Sequence, residues 1–216
     1  MKIISWNVNG IRSMFKKDKN GQKYPKNIDD NVIAHLIEQE NPDIFCVQES
    51  RCKDEIKIDG YDFYNSPGIK PGHAGVCIFT RIKPKSVVIQ EQGRIICLRF
   101  KHFYLVNVYV PNSGGEIDSE KFKNRINIWE PRFRKFINSL DKEVVIVGDF
   151  NCAPTLKDIN MKEKIGAGDT PEEKLCFQKL IDRCNLIDTY RYYHKDGQKM
   201  TWHLPWNRKK YKGCRL

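Results

Sequence analysis

The run Val144-Val145-Ile146-Val147 leads without a break into Gly148-Asp149-Phe150-Asn151. A continuous β-branched stretch of this length has the composition of a buried strand. In extended backbone, residues two apart point to one face, so Asp149 and Asn151 leave the strand end together. A carboxylate and an amide so placed can take a proton from water and hold a phosphoryl oxygen. The same two side chains also suit a loop that caps the following turn.

Metal ions and phosphates favour oxygen ligands on rigid strand ends, and other places in the chain offer them. In Ser5-Trp6-Asn7-Val8-Asn9-Gly10 an amide follows a short apolar run and Asn9-Gly10 turns the chain, so Asn7 reads as an oxygen ligand or as a turn-stabilising amide. Ile44 to Gln48 is a buried run that delivers Glu49 at its exit, as a ligand or as a solvated strand-end carboxylate. Tyr109 lies near the end of a strand whose exit is marked by Pro111 and Gly114. Beside a bound cation its phenol can donate to a phosphate oxygen or lose its proton, and otherwise it is a packing residue.

The elements that position these groups are short. Lys2 to Val8, Asp43 to Gln48, Tyr61 to Asn65, Gly75 to Thr80, Ser86 to Gln90, Ile95 to Phe100, Phe103 to Val110 and Val144 to Val147 read as strands. Three helices are expected. One covers Ile28 to Gln39. A second covers Asp118 to Leu140, with Phe122, Ile126, Trp129, Phe133, Ile137 and Leu140 as its stripe and a kink or split at Pro131. A third opens at Thr170-Pro171 and carries Leu175, Leu180 and Ile181 inward. The pattern predicts one mixed α/β domain over residues 1–216, its helices packed over predominantly antiparallel strands in two facing sheets.

Composition bounds the partners. The chain has 216 residues, with 38 Lys and Arg against 27 Asp and Glu, a net charge of +11. That excess favours a polyanion, nucleic acid before an anionic membrane. No stretch approaches the roughly 20 apolar residues of a membrane span, and the start is too short in apolar residues for a signal peptide. An intracellular protein, nuclear or cytoplasmic, is expected. Of eight cysteines, Cys46, Cys77 and Cys97 lie in apolar strands and none forms a C-x-x-C pair, which argues for reduced core thiols and against zinc. Cys52, Cys152, Cys176, Cys184 and Cys214 leave a bridge or a reactive thiol open.

In order along the chain, SWNVNGIR (5–12), QES (48–50), GHAGVCIFTR (72–81), GR (93–94), NVYVPNSG (107–114), GDFNCAP (148–154), TPEE and MTW (200–202) resemble the exonuclease III family of apurinic/apyrimidinic (AP) endonucleases, within the DNase I-like phosphoesterases. The resemblance covers the whole chain. It implies a four-layered α/β sandwich with two packed, mostly antiparallel sheets and a site at the sheet edges. It implies a Mg²⁺-dependent DNA-repair nuclease, with Mn²⁺ as a substitute, that hydrolyses the phosphodiester 5′ to abasic sites, with 3′ to 5′ exonuclease and 3′-phosphodiesterase activity. Glu49 would be the principal metal ligand with Asn7 beside it. Asp149 would orient or deprotonate the water, Asn151 would steady the phosphoryl oxygens, and both could reach a second cation. Tyr109 matches the family's active-site tyrosine.

The resemblance also implies a double-stranded DNA partner with abasic or 3′-blocked sites, no membrane and a monomer. Arg12 and Asn112 would contact DNA, Trp202 would face the abasic sugar, and Arg208, Lys209 and Lys210 match a loop inserted into the groove. His73, Asp169 and Cys214 depart from family aromatics. The chain ends at Gly213-Cys214-Arg215-Leu216, before the family's Asp-Tyr strand and Ser-Asp-His motif. The expectation is therefore a chain truncated relative to the family, with an open edge on the second sheet and without the terminal Asp and the Asp–His pair, an imidazole and carboxylates whose absence would leave these 216 residues inactive. Two other readings stand beside the nuclease: a non-catalytic DNA-binding fragment or paralogue, and a phosphoesterase acting on lipid or inositol phosphates.

Overall fold

All eight predicted strands form, each within two residues of its expected ends, in the computed structural model, which describes residues 1–14, 32–160, 166–203 and 213–216. Contacts group the chain into two compact units, Met1–Val110 with Lys142–Asp149, and Pro111–Asp141 with Phe150–Leu216.

The first unit holds both large sheets. β1 (Ile3–Asn7), β2 (Ile44–Gln48), β3 (Asp62–Ser66) and β4 (Val76–Thr80) form one in the order β1-β2-β4-β3. β5 (Ser86–Ile89), β6 (Ile95–Arg99), β7 (Phe103–Tyr109) and β8 (Glu143–Asp149) form the other in sequence order. Pairing is mostly antiparallel, as expected. The exceptions are β1 with β2 and β7 with β8, which run parallel.

β2 is buried along its whole length, and its alternation builds two layers of core. Phe45 and Val47 pack with Ile33 and Ile37 of helix α1 (Val32–Glu40). Ile44 and Cys46 face the other way, against Ile96, Leu98 and Leu105 of the second sheet. One helix and two sheets are therefore stacked in this unit. The first four positions of the expected Ile28 to Gln39 helix, residues 28–31, lie outside the described residues.

The apolar contact between the sheets carries one buried polar pair. Gln48 Nε2 donates to Asn107 Oδ1 at 2.6 Å, and Asn107 Nδ2 donates to the carbonyls of Val47 and Cys77 at 3.1 and 3.0 Å. Buried amides are tolerated only when bonded in this way. The pair fixes how β2 and β7 lie opposite one another.

The second unit contains α2 (Glu120–Asn124) and α3 (Glu130–Asn138), joined by a π-helical turn at Arg125–Trp129. The proline neither interrupts helical backbone nor starts a loop: Trp129 and Glu130 keep right-handed helical angles. Pro131 lacks an N–H and crowds the carbonyl four residues back, and the wider turn just before it absorbs that conflict. Arg125 joins Phe122, Trp129, Phe133 and Ile137 on the buried side, and Ile128 is 43% exposed.

α4 (Pro171–Arg183) starts where Thr170 predicts, with a reciprocal capping box between Thr170 and Glu173. Its buried face is Glu173, Cys176 and Leu180, whereas Leu175, expected inside, is 53% exposed. Spacing from the capping glutamate, not from the nearest leucine, sets that face. α5 (Thr189–Tyr193) and a small sheet of β9 (Ile159–Asn160), β10 (Trp202–His203) and β11 (Gly213–Cys214), in the order β10-β11-β9, are too short to leave a periodic pattern in the sequence.

All eight cysteines are free, seven of them buried, so no thiol is in a bridge. Burial pushes the Cys97 and Cys152 thiols up to about 12. Among the described residues no helix is long and apolar enough to cross a membrane.

Candidate active site

Parallel pairing brings the C-terminal ends of paired strands to one rim. Asn7 of β1 stands opposite Gln48, the last residue of β2, and Tyr109 of β7 stands opposite Asp149 of β8. One residue past β2, Glu49 takes a left-handed backbone conformation, φ 51°, as do Asn9 and Arg51. For residues other than glycine this conformation is held by its surroundings, and it clusters at working sites. Before Asp149 the chain needs a glycine: Gly148 has φ 143°, and a Cβ there would meet the Val108 carbonyl oxygen at 1.9 Å. Only a residue without a side chain lets β8 lie that close to β7.

The four strand ends meet. Asn7 Nδ2 donates to Glu49 Oε1 at 3.0 Å and to Asp149 Oδ2 at 2.7 Å, while Asn7 Oδ1 accepts from the Asn9 N–H at 3.0 Å. The Tyr109 hydroxyl bonds the Glu49 carboxylate. Arg51 Nη2 donates to Glu49 Oε2 at 2.5 Å, and Arg94 lies 4.6 Å from the centre of the Tyr109 ring. Asn7, Glu49, Tyr109 and Asp149, chosen from the sequence, therefore form one cluster. Arg51 and Arg94 belong to it too. Both stand inside or beside motifs already noticed, but a surface arginine carries no signal of its own until the fold places it.

The electrostatics follow from these contacts. Burial alone would raise the Glu49 carboxyl, but hydrogen bonds from Asn7, Arg51 and Tyr109 and the nearby Arg51 charge bring it below its ordinary value. Burial raises the Tyr109 phenol well above its usual value, and the Glu49 and Asp149 charges add to that rise against Arg94. In the protein's own field Tyr109 is a neutral donor at neutral pH. A phenol that loses its proton, also left open by the sequence, needs the charge of a bound cation beside it.

The donor set suits a small hard cation. Mg²⁺ takes one or two carboxylates and keeps several waters, and Glu49, Asp149 and the Asn7 amide supply oxygens of that kind. Among the described residues no group of three or more His, Cys, Asp or Glu is placed to hold a metal.

In the second unit Asn151 is buried and left-handed, φ 46°, and its Oδ1 accepts from Asn112 Nδ2 at 3.3 Å. These two expected residues are brought together. Arg125, not singled out from the sequence, donates to the carbonyls of Phe150 and Asn151, both at 2.9 Å. Arg12, in the first unit, is exposed and paired with Asp54 at 2.6 Å. A surface pair of this kind opens at little cost. Trp202 is half-buried on β10, opposite Cys214. Arg208, Lys209 and Lys210 lie outside the described residues.

Comparison with known proteins agrees with this geometry. Residues 4–210 match the profile of the Endonuclease/Exonuclease/phosphatase family. The DNA-(apurinic or apyrimidinic site) endonuclease of Dictyostelium discoideum is 31% identical over 235 residues, across 100% of this chain and 61% of that protein. The exodeoxyribonuclease of Bacillus subtilis is 27% identical, across 91% of this chain and 77% of its own length. The chain thus spans about three fifths of the Dictyostelium relative. The crystal structure of an AP endonuclease from Leishmania major superposes with a TM-score of 0.82 at 23% identity, covering 100% of this chain and 77% of that one, so the fold is shared. A profile match over nearly the whole length and a DNase I-like fold place the chain in the Endonuclease/Exonuclease/phosphatase family, among the relatives of AP endonucleases and exodeoxyribonucleases.

Proposed function

We propose that this chain is a Mg²⁺-dependent DNA-repair nuclease that hydrolyses the phosphodiester 5′ to an abasic nucleotide, with 3′ to 5′ exonuclease and 3′-phosphodiesterase activity at the same site. The carrying observation is the single Asn7 amide shared by the Glu49 and Asp149 carboxylates, with the Tyr109 hydroxyl on Glu49. The likeness to an abasic-site endonuclease of Dictyostelium and an exodeoxyribonuclease of Bacillus supports DNA as the substrate. The net charge of +11 supports a polyanionic one.

Glu49, Asn7 and Asp149 would hold the cation, which when bound neutralises charge developing on the scissile phosphate. Asp149, fixed by Asn7, orients the water and accepts its proton as the oxygen attacks phosphorus in line; the bond from phosphorus to the 3′ oxygen of the preceding nucleotide breaks, and that oxygen leaves as a hydroxyl after taking a proton from solvent. Tyr109 keeps its proton and donates. Asn151 steadies a phosphoryl oxygen through its amide. Arg12 and Asn112 meet DNA phosphates, Trp202 fills the space left by the missing base, and Arg208, Lys209 and Lys210 add backbone contacts. The protein works inside the cell as a monomer on duplex DNA.

The test compares a duplex carrying one abasic site, the same duplex undamaged, and an inositol phosphate, each with Mg²⁺. Internal incision is expected in the abasic strand alone, with shortening from 3′ ends in either duplex. Damage-specific binding without cleavage would select a non-catalytic DNA-binding role, and release of phosphate from the inositol compound would select the other phosphoesterase class.

A further inference from the structure

Arg125 is a cation with 2% of its surface exposed, at the start of the π turn between α2 and α3. Its counter-ion is Glu173, also buried, whose Oε1 accepts from Nη1 at 3.0 Å; Glu130 Oε1 lies 3.6 Å from Nε. Two acids already offset the charge. The guanidinium nevertheless also donates to two consecutive carbonyls, Phe150 through Nη2 and Asn151 through Nη1. Two adjacent peptide oxygens can reach one planar fork only if the chain turns sharply there, and Asn151 is the residue that turns, in left-handed backbone.

The other sides of this peptide are held too. A Cβ on Gly168 would stand 2.9 Å from the Asn151 carbonyl oxygen. The Gly168 carbonyl accepts from the Ala153 N–H at 2.7 Å, and the Gly168 N–H donates to Glu173 Oε2 at 2.7 Å. The Thr170 hydroxyl, at 2.8 Å, ties that same carboxylate oxygen to the start of α4. Arg125, Glu173 and Gly168 thus enclose the Asn151 peptide, and Asn112 holds its side-chain oxygen. A π turn in a helix often marks a residue recruited for function. Here Arg125 opens that turn, on the face that Phe122 and Trp129 bury.

We propose that Arg125, with Glu173 as its counter-ion, is a positioning residue that sets the backbone of Asn151 and so aims its amide at the phosphoryl group. This rests on the reading of Asn151 given above. Lysine in place of Arg125 keeps the charge but gathers its donors on one nitrogen of a shorter side chain, in place of the planar fork that spans both carbonyls and Glu173.

The experiment uses the whole chain with Arg125→Lys, Glu173→Gln, Asn151→Ala and the Arg125→Lys/Asn151→Ala pair. Abasic-duplex cleavage is followed with Mg²⁺, and amide NMR on the free proteins. In Arg125→Lys, kcat should fall about tenfold to a hundredfold with KM within about twofold. The Asn151 backbone and side-chain amide signals should shift while the near-UV circular dichroism stays unchanged. Glu173→Gln, which keeps the shape, should move the same signals by less. In the Asn151→Ala background, Arg125→Lys should cause no further loss in kcat. Full cleavage by Asn151→Ala overturns the role given to Asn151, and this inference with it. A slow Asn151→Ala on which Arg125→Lys acts multiplicatively, or unmoved Asn151 signals in Arg125→Lys, overturns the inference alone.

Discussion

Asn7 Nδ2 donates to Asp149 Oδ2 at 2.7 Å, joining the end of the first strand to the end of the last strand of the second sheet, 142 residues later. The same nitrogen holds Glu49, so two carboxylates share one neutral donor. Removing it should leave two acids facing each other without the amide between them. Asn7→Ala is expected to slow abasic-site incision about a hundredfold, the usual scale for losing one preorganised donor. In the metal-free protein the Glu49 carboxyl, losing a hydrogen bond that lowers it, should titrate at higher pH, which carboxyl NMR reads directly.

Tyr109 should act with its proton in place. Tyr109→Phe is expected to cut the cleavage rate by roughly ten- to a hundredfold with the fold intact. In EDTA the wild-type protein should show a phenol that titrates above the usual tyrosine range at 295 nm, missing from the variant. An unchanged late phase in Tyr109→Phe would reject the assignment.

The Gln48–Asn107 pair should be worth more than its two side chains suggest. Asn107→Leu removes a buried acceptor from Gln48 and a donor from the carbonyls of Val47 and Cys77. A loss of about 3 kcal/mol is expected, near 10 °C in melting temperature. A shift under about 2 °C would contradict it.

Asp158 should make the second unit sensitive to acid. Its carboxylate accepts from Arg191, from Arg215 Nε at 2.6 Å and from Thr155 Oγ1 at 2.7 Å, and Arg215 also pairs with Asp188 at 2.6 Å. Burial opposes the charged form, yet the bonds to Arg215, Thr155 and Arg191 leave its carboxyl below the ordinary value. A lowered folded value stabilises above the unfolded pKa of about 3.9 and is lost as pH falls through the folded one. Asp158→Asn should therefore cost on the order of 3 kcal/mol at pH 7, and the gap to wild type should close below about pH 4. Urea melts across that range measure it, and a constant gap would contradict it.

Strand content was legible in this sequence because each strand is a short β-branched run between breakers; Ile44 to Gln48 is buried on both faces as such a run suggests, whereas Val144 to Val147 forms its strand but stays partly open, with Val145 exposed. The chemical groups were legible because they follow those runs directly. What stayed hidden depends on contact between distant segments. Arg125 stands three residues after Phe122 and four before Trp129, on the apolar stripe itself, but an arginine there reads as a solvated side chain until Glu173 and the Phe150 and Asn151 carbonyls are placed around it. Leu175 misled because the capping glutamate two residues earlier, not the leucine, sets the inner face of α4. The two-residue strands of the small sheet are shorter than any period that could announce them.

The central claim is that the Glu49–Asp149 pair works with a divalent cation on an abasic phosphodiester. It is tested most directly by single-turnover incision of an abasic duplex across a Mg²⁺ titration, with wild type, Glu49→Gln and Asp149→Asn side by side. Wild type should be silent in EDTA and rise to a plateau with Mg²⁺. Glu49→Gln should need far more Mg²⁺ to reach any rate, and Asp149→Asn should remain slow at every concentration. Equal rates for wild type and Glu49→Gln throughout the titration would contradict the claim.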